Sequence, residues 1–232
     1  MADVSLFIGG IRPLPESGRP TGIYKQAVTT ALELGPEGFV GDQQADRRVH
    51  GGPDKAVHLY PAAHYAKLAS RFPEAAGQLV IGSLGENLSA RIDETDVRVG
   101  DIWRLGTARL QVCQPRNPCW KIDERFGCDG MAAYIAEYRL TGWYWRVLTP
   151  GRVAPGDALE LETAADSFTL AEAMLRWQAH RPALADLEKL AAAPGIADNW
   201  RQKIVARANW LRNNPDQAAP PVKAFHVKPE QP

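Results

Sequence analysis

The chain has 232 residues and balances 27 basic against 27 acidic side chains. A chain of this length can bury a core without disulfide or metal staples, and 45% hydrophobic with 23% charged residues marks neither a disordered nor a membrane protein. Zero net charge argues against a dedicated nucleic-acid binder. No apolar run is long enough to span a bilayer, and the start, MADVSLFIGGIRPLPESG, lacks the basic and apolar regions of a secretory leader. Cys113, Cys119 and Cys128 cannot close a disulfide framework and point to a reducing, cytoplasmic compartment.

Residues 1–165 are rich in glycine, proline and short β-type stretches. A helical insertion is expected over Ala62–Arg71. Val97, Val99, Ile102 and Trp103 flank Gly100-Asp101 and read as a hairpin. Arg109–Cys113, R-L-Q-V-C, alternates as a half-buried strand does. A second helical insertion follows over Met131–Arg139, and Leu159 and Leu161 alternate with Glu160 and Glu162. Many short strands with Gly-rich turns suggest a β-barrel or sandwich. From about residue 166 alanine replaces glycine. Thr169 and Glu172 resemble a capping box, with Leu170, Ala173, Met174 and Trp177 on one helical face. A second helix is expected over Ala183–Ala193, stopped by Pro194-Gly195. Asp198 would cap a third, with Trp200, Ile204, Ala208 and Leu211 on one face. Three such stripes can pack as an antiparallel bundle, with the tryptophans in its core. The expected layout is mixed α+β: a barrel domain over 1–165, three helices over 166–213, and an irregular proline-rich tail over 214–232.

No G-x-G-x-x-G, P-loop, G-x-S-x-G or H-E-x-x-H is present. Three other segments are unusual. Gly41–Val57 gathers Asp42, Asp46, His50, Asp54 and Lys55 around Gly51-Gly52, glycines that permit positive φ and close approach of a ligand. Backbone N–H groups there, with Lys55 and Arg48, could bind an anion; a solvated polar turn is the competing reading. Gly85–Leu88, G-E-N-L, sets a carboxylate beside an amide, a pair able to read a heterocycle's edge or simply to cap a turn. Gln114–Lys121, Q-P-R-N-P-C-W-K, brings Arg116, Cys119 and Lys121 together at a strand end, where cations favour a thiolate. Cys119 is therefore a candidate nucleophile or soft-metal ligand. Cys113 and Cys128 read as structural. His50, His58 and His64 raise the question of a zinc hydrolase, but intervals of eight and six fit no compact ligand pair. Arg201, Lys203, Arg207 and Arg212 read as a solvated helix face rather than a nucleic-acid surface.

Taken in order, G-D-x-x-A-D-x-x-x-H-G-G-P-D-K-A-V, G-E-N-L and P-R-x-P-C-x-K resemble the MOSC-domain proteins, specifically the YiiM type. S-G-R-P-T-G-I-Y-K near the start, G-W-Y-W-R-V-L-T-P-G-R-V after the cysteine loop and the helical C-terminal segment extend the resemblance over nearly the whole chain. It implies a MOSC-type β-barrel with a pterin-binding cleft and a mononuclear molybdenum cofactor (molybdopterin) ligated by the thiolate at Cys119. It implies reduction of N-hydroxylated compounds, such as hydroxylaminopurine-type bases, amidoximes or hydroxylamines, to the amine. Asp46, Gly51, Gly52, Lys55, Glu86, Asn87, Arg116 and Lys121 would hold the cofactor, and His50 or Asp54 would move protons. No flavin, haem or iron–sulfur motif is visible, so electrons would come from a separate flavoprotein. A non-catalytic cofactor carrier, or a persulfide carrier on Cys119, is the alternative. The C-terminal helices could serve a homodimer or lid the cleft; neither membrane nor nucleic acid is expected as a partner.

Overall fold

Val4 alone separates a strand at one edge of a long sheet from a strand one place in from the other edge, and that fact shapes the molecule. The structure, a computed structural model, describes residues 2–217 and 219–222, without the side chains of Ala2, Arg48 and Val49. Arg48 as an anion-binding side chain, and most of the expected tail over 214–232, therefore lie outside the described residues. The strands are β1 (Ala2–Asp3), β2 (Ser5–Ile8), β3 (Arg12–Pro13), β4 (Pro20–Thr21), β5 (Gln26–Ala27), β6 (Leu32–Gly35), β7 (Gly38–Phe39), β8 (Val57–Leu59), β9 (Leu88–Ser89), β10 (Ile102–Leu105), β11 (Ala108–Pro115), β12 (Trp143–Thr149), β13 (Gly151–Val153) and β14 (Ala158–Thr163). The helices are α1 (Arg47–His50), α2 (Ala62–Arg71), α3 (Lys121–Phe126), α4 (Met131–Glu137), α5 (Leu170–Gln178), α6 (Leu184–Ala191) and α7 (Asp198–Asn213).

The main sheet has nine strands in the order β1-β14-β10-β11-β12-β8-β9-β2-β5. Val4 exchanges backbone hydrogen bonds with Asp157 and Gly156 beside β14, while Ser5 and Leu6 pair with β9. One run of chain thus borders both ends of the sheet, which must curl into a barrel-like form. All its pairings are antiparallel except β8 with β9.

The hairpin expected around Gly100-Asp101 lies elsewhere. Val97 and Val99 sit in a buried loop whose backbone bonds to the start of α5, through Leu170 N–H to Val97 O and Val99 N–H to Phe168 O. The true hairpin joins β10 to β11 across Gly106-Thr107, where Gly106 has φ +57°. β11 is not half-buried: Gln111 and Cys113 are covered on the second face by the C-terminal segment, with Ala197 N–H donating to Cys113 O. Burial pushes the Cys113 thiol up to about 12, so it is inert at neutral pH. On β14 Leu159 is buried but Leu161 is 49% exposed, at the last in-register pair (with Trp103) before the ladder slips to pair Ile102 with Thr163.

The helix over Ala62–Arg71 is present, and α4 stops two residues short of the expected end, just before Arg139 at φ +57°. α3 was not foreseen. α5 carries the capping box, with both Thr169 and Glu172 bonds formed. α7 starts at Asp198, but the Asp198 side chain does not cap it. Ala197 holds the N-cap position, Asp198 pairs with Arg201, and the Asp198 N–H donates to Asp54 Oδ2. Leu170, Leu187, Leu190, Trp200, Ile204 and Leu211 join one apolar cluster with Val57, Trp103 and Trp145 of the sheet, and Trp177 and Trp210 pack at its edge. Arg207 is not on a solvated face. It is buried over the Trp177 ring and donates to Ala179 O. A second cluster, including Tyr60, Leu68, Ile122 and Met131, packs α2, α3 and α4 together. Among the described residues no helix is long and apolar enough to cross a membrane.

Candidate functional site

β11 leaves the sheet at Pro115, and residues 116–120 turn back into α3. That turn is pinned at its base. Arg116 N–H donates to Gly142 O, Gly142 N–H donates to Glu94 Oε1 at 2.7 Å, and the other Glu94 oxygen lies 2.7 Å from His64 Nε2. Gly142 has φ +63°, and a Cβ there would lie 2.2 Å from Leu59 O. Arg116, Cys119 and Lys121 then face a cleft of about 630 Å³ that opens to solvent.

The opposite wall is a buried ion pair. Lys25 Nζ lies 2.5 Å from both Asp42 oxygens, and the two side chains are 4% and 2% exposed. Burial pushes the Lys25 ammonium down, against the pull of Asp42. Asp42 also accepts from Gly9 N–H and from Asn87 Nδ2, each at 2.9 Å. Asn87 Oδ1 accepts from His58 N–H, so this amide ties β8 to the Asp42 wall while lining the cleft. Glu86 does not line the cleft. Its fully buried carboxylate accepts from Tyr65 Oη at 2.5 Å, Gly82 N–H at 2.7 Å and Leu84 N–H at 3.1 Å. Burial nevertheless pushes that carboxyl above its ordinary range. The bonds fix the turn that brings Leu84 and Gly85 to the cleft.

The third wall is the loop over 47–55, which contributes His50 and Lys55. Gly52 alone uses positive φ, at +89°; Gly51 is needed because a Cβ would meet Arg47 Cα at 2.9 Å. Asp46, whose carbonyl accepts His50 N–H, stays outside the lining residues. Asp54 points away from the cleft, to Arg146 at 2.6 Å. Burial, and then Lys203 of α7, push the Lys55 ammonium down.

His58 and Tyr144 form the floor, with ring centroids 5.4 Å apart. Burial and the neighbouring Arg116 and Lys25 cations push His58 well down, so it stays neutral. His58 Nε2 and Arg116 Nη1 are both buried without a hydrogen-bond partner among the described residues. Arg116 is only 6% exposed and contacts the Tyr144 side chain, so its guanidinium is a desolvated cation with one nitrogen unanswered among the described residues. In a chain of zero net charge, Lys25, Lys55, Arg116 and Lys121 converge on a cleft where, among the described residues, Asp42 is the one lining carboxylate. Such a cleft concentrates anions, and the Cys119 thiol adds a soft donor.

Seven residues singled out from sequence thus share the cleft: Asp42, His50, Lys55, Asn87, Arg116, Cys119 and Lys121. Asp46, Gly51, Gly52, Asp54 and Glu86 support it from behind or beside. The three histidines do not assemble, since His64 is turned to Glu94, and no group of three or more potential ligands is gathered for a metal among the described residues. Sequence reasoning missed Lys25, His58 and Tyr144 as cleft residues. Lys25 closes the S-G-R-P-T-G-I-Y-K motif and Asp42 opens the next one, so their joint presence was the available signal.

A family model described as the MOSC domain matches residues 46–160. Protein YiiM of Escherichia coli strain K12 is 38% identical over 207 residues, 88% of this chain and 91% of that protein. The crystal structure of YiiM from Escherichia coli aligns with a TM-score of 0.75 at 31% identity, covering 90% of this chain and 92% of that one. A protein named Reductase from Gibberella moniliformis is 33% identical over 141 residues, 60% of this chain and 25% of that protein.

Proposed function

Because the chain belongs to the MOSC-domain family, we propose that its cleft holds a mononuclear molybdenum cofactor and that the protein reduces N-hydroxylated compounds to amines. Hydroxylaminopurine-type bases, amidoximes and hydroxylamines are the substrate class. The observation that carries this reading is the Cys119 thiol in the same cleft as a buried, unpartnered Arg116 nitrogen. A thiolate can ligate a thiophilic metal such as molybdenum through a covalent metal–sulfur bond, and a desolvated guanidinium suits the phosphate of an anionic cofactor. The donor set therefore fits the group. The relative named Reductase supports redox chemistry.

When bound, the cofactor supplies the two-electron chemistry and the protein binds, orients and tunes it. Cys119 would ligate the metal. Arg116, Lys55 and Lys121 would hold the anionic end, and Asn87 and neutral His58 present hydrogen-bonding edges to the ring system or substrate. His50, on the cleft wall, would give and take protons, since imidazole does both near neutral pH. Electrons would arrive from a separate flavoprotein.

The test is molybdenum content by mass spectrometry and oxidised-pterin fluorescence on protein made anaerobically in a cofactor-rich host. Wild type should carry both in stoichiometric amount, and Cys119→Ala should lose the metal. With an artificial electron donor the loaded protein should turn over an N-hydroxylated base; a labile persulfide without turnover would instead establish the carrier. Neither metal nor pterin in the wild type would end the cofactor reading.

A further inference from the structure

Lys55 and His50 reach the cleft from the segment over 47–55, in which Gly51-Gly52 joins two single helical turns. Gly51-Gly52 lowers its stiffness, and Lys203 of α7 repels Lys55. Arg47 pairs with Glu37 at one end of the segment, and the other end is held through the neighbour of Lys55 in the one-turn helix over Pro53–Lys55. Asp54 Oδ1 accepts from Arg146 Nε at 2.9 Å and Nη2 at 2.6 Å, and Asp54 Oδ2 accepts from the Asp198 N–H at 3.2 Å. Arg146 is itself fixed in β12, at the centre of the main sheet, and its Nη1 donates to Gln111 Oε1 of β11. One carboxylate therefore fastens the loop to the barrel and to the first turn of the last helix.

We infer that Asp54 is a positioning residue which makes the C-terminal helices part of the binding cleft, by clamping the loop over 47–55 so that His50 and Lys55 stand in the cleft wall. This rests on the reading of the cleft as an anion site. It also gives the helical segment a task at the site: α7 supplies the amide that completes the clamp. With Asp54 released, the segment carrying Lys55 and His50 would lose its tie to β12 and to α7, though no residue touching the ligand had changed.

The experiment uses full-length, cofactor-free protein and the variants Asp54→Ala, Asp54→Asn, Lys55→Met and Asp54→Ala/Lys55→Met. Hydrogen exchange over residues 47–57 and calorimetric titration with inorganic pyrophosphate are the two readouts. Asp54→Ala should speed exchange over 47–57 and at Asp198 by about tenfold, the factor one charge-assisted hydrogen bond supplies, while β10 and β11 stay as protected as before. It should weaken pyrophosphate as much as Lys55→Met does, and the double variant should be no weaker than the worse single one. Asp54→Asn, which keeps an acceptor for Asp198 but loses the charge, should fall between and decides the matter if Asp54→Ala fails to fold. Unchanged exchange over 47–57, or additive losses in the double variant, would overturn the clamp. A wild type that binds no pyrophosphate would remove the anion-site reading by itself, and exchange alone would then decide the clamp.

Discussion

Two carboxylates near the cleft show how similar residues take different work from their surroundings. Glu86 is buried and answered by three donors, so Glu86→Ala would strand Tyr65 Oη and Gly82 N–H and leave Leu84 N–H only its 3.3 Å bond to Tyr65 Oη. At about 1–3 kcal/mol for each unmet donor, and with some relaxation, a loss of roughly 3 kcal/mol is expected. In a chain of this size that lowers Tm by about 6–12 °C, readable by calorimetry. Glu86 also sets a pH dependence. Its folded pKa lies above the ordinary 4.5, chiefly through burial, so above pH 4.5 the folded state keeps a proton that the unfolded state has lost. Its contribution is complete below that value and fades as pH rises through the folded pKa. Urea midpoints should therefore fall more steeply above pH 4.5 in wild type than in Glu86→Gln; equal slopes would show that Glu86 ionises normally. Asp42 is answered by a charge instead. Lys25→Met would leave a buried carboxylate unpaired, at a cost of about 3–5 kcal/mol, whereas Lys121→Met, at an exposed bond to Pro20 O, should change stability by less than about 0.5 kcal/mol. The motif letters around these residues were legible in the sequence, but their division of labour was not. Glu86 and Asn87 are adjacent in the chain, yet one turns to Tyr65 and the other to Asp42. Only the packing of α2 against the 82–84 turn decides which of them reaches the cleft.

Elements were legible where their causes are local. The capping box of α5 needs only Thr169 and Glu172, three residues apart, and the stripe that follows needs only one helix. β11 was half legible. Its alternation predicts one covered face, but the second face is covered by residues near Ala197, more than eighty positions later. α3 offered no periodicity to read, being six residues long and set directly after the proline-stiffened cysteine loop. The turn before β12 belongs to the same group. Nothing in T-G-W announces that Gly142 touches Leu59 O, yet this contact sets where Arg116 emerges. Gly142→Ala combines positive φ with a Cβ placed 2.2 Å from a backbone oxygen, so the turn must open. A loss of about 3 kcal/mol or more is expected. Because Gly142 O holds Arg116 N–H, anion affinity should fall along with stability. Thr169→Ala, at the far cap of α5, should cost only about 1 kcal/mol and leave anion affinity unchanged. Denaturation and pyrophosphate titration of both variants separate the two cases.

At the scale of the molecule, composition divides the chain near residue 165 and the core does not. The apolar faces of α5, α6 and α7 do not close on themselves; Leu170, Leu187, Leu190, Ile204 and Leu211 share a cluster with Val99, Val112 and Trp103 of the barrel side. Burying each such side chain contributes about 1.5–3 kcal/mol. Several of them together rival the roughly 5–15 kcal/mol by which a whole domain is stable. The Asp54 clamp joins the same two parts through polar atoms. Cutting the chain after residue 165 would therefore uncover the second face of β11 and release the loop that carries Lys55. The expected outcome is one cooperative calorimetric transition for the full chain, with calorimetric and van't Hoff enthalpies equal, and a 1–165 fragment without dispersed amide resonances. Two separate transitions, or a folded fragment that binds pyrophosphate as tightly as the full chain, would make the helices an independent appendage. The charge pattern leads the same way. With no net charge to draw anions from a distance, the cleft depends on a few lysines and one arginine being held in place, and part of that holding comes from the C-terminal helices.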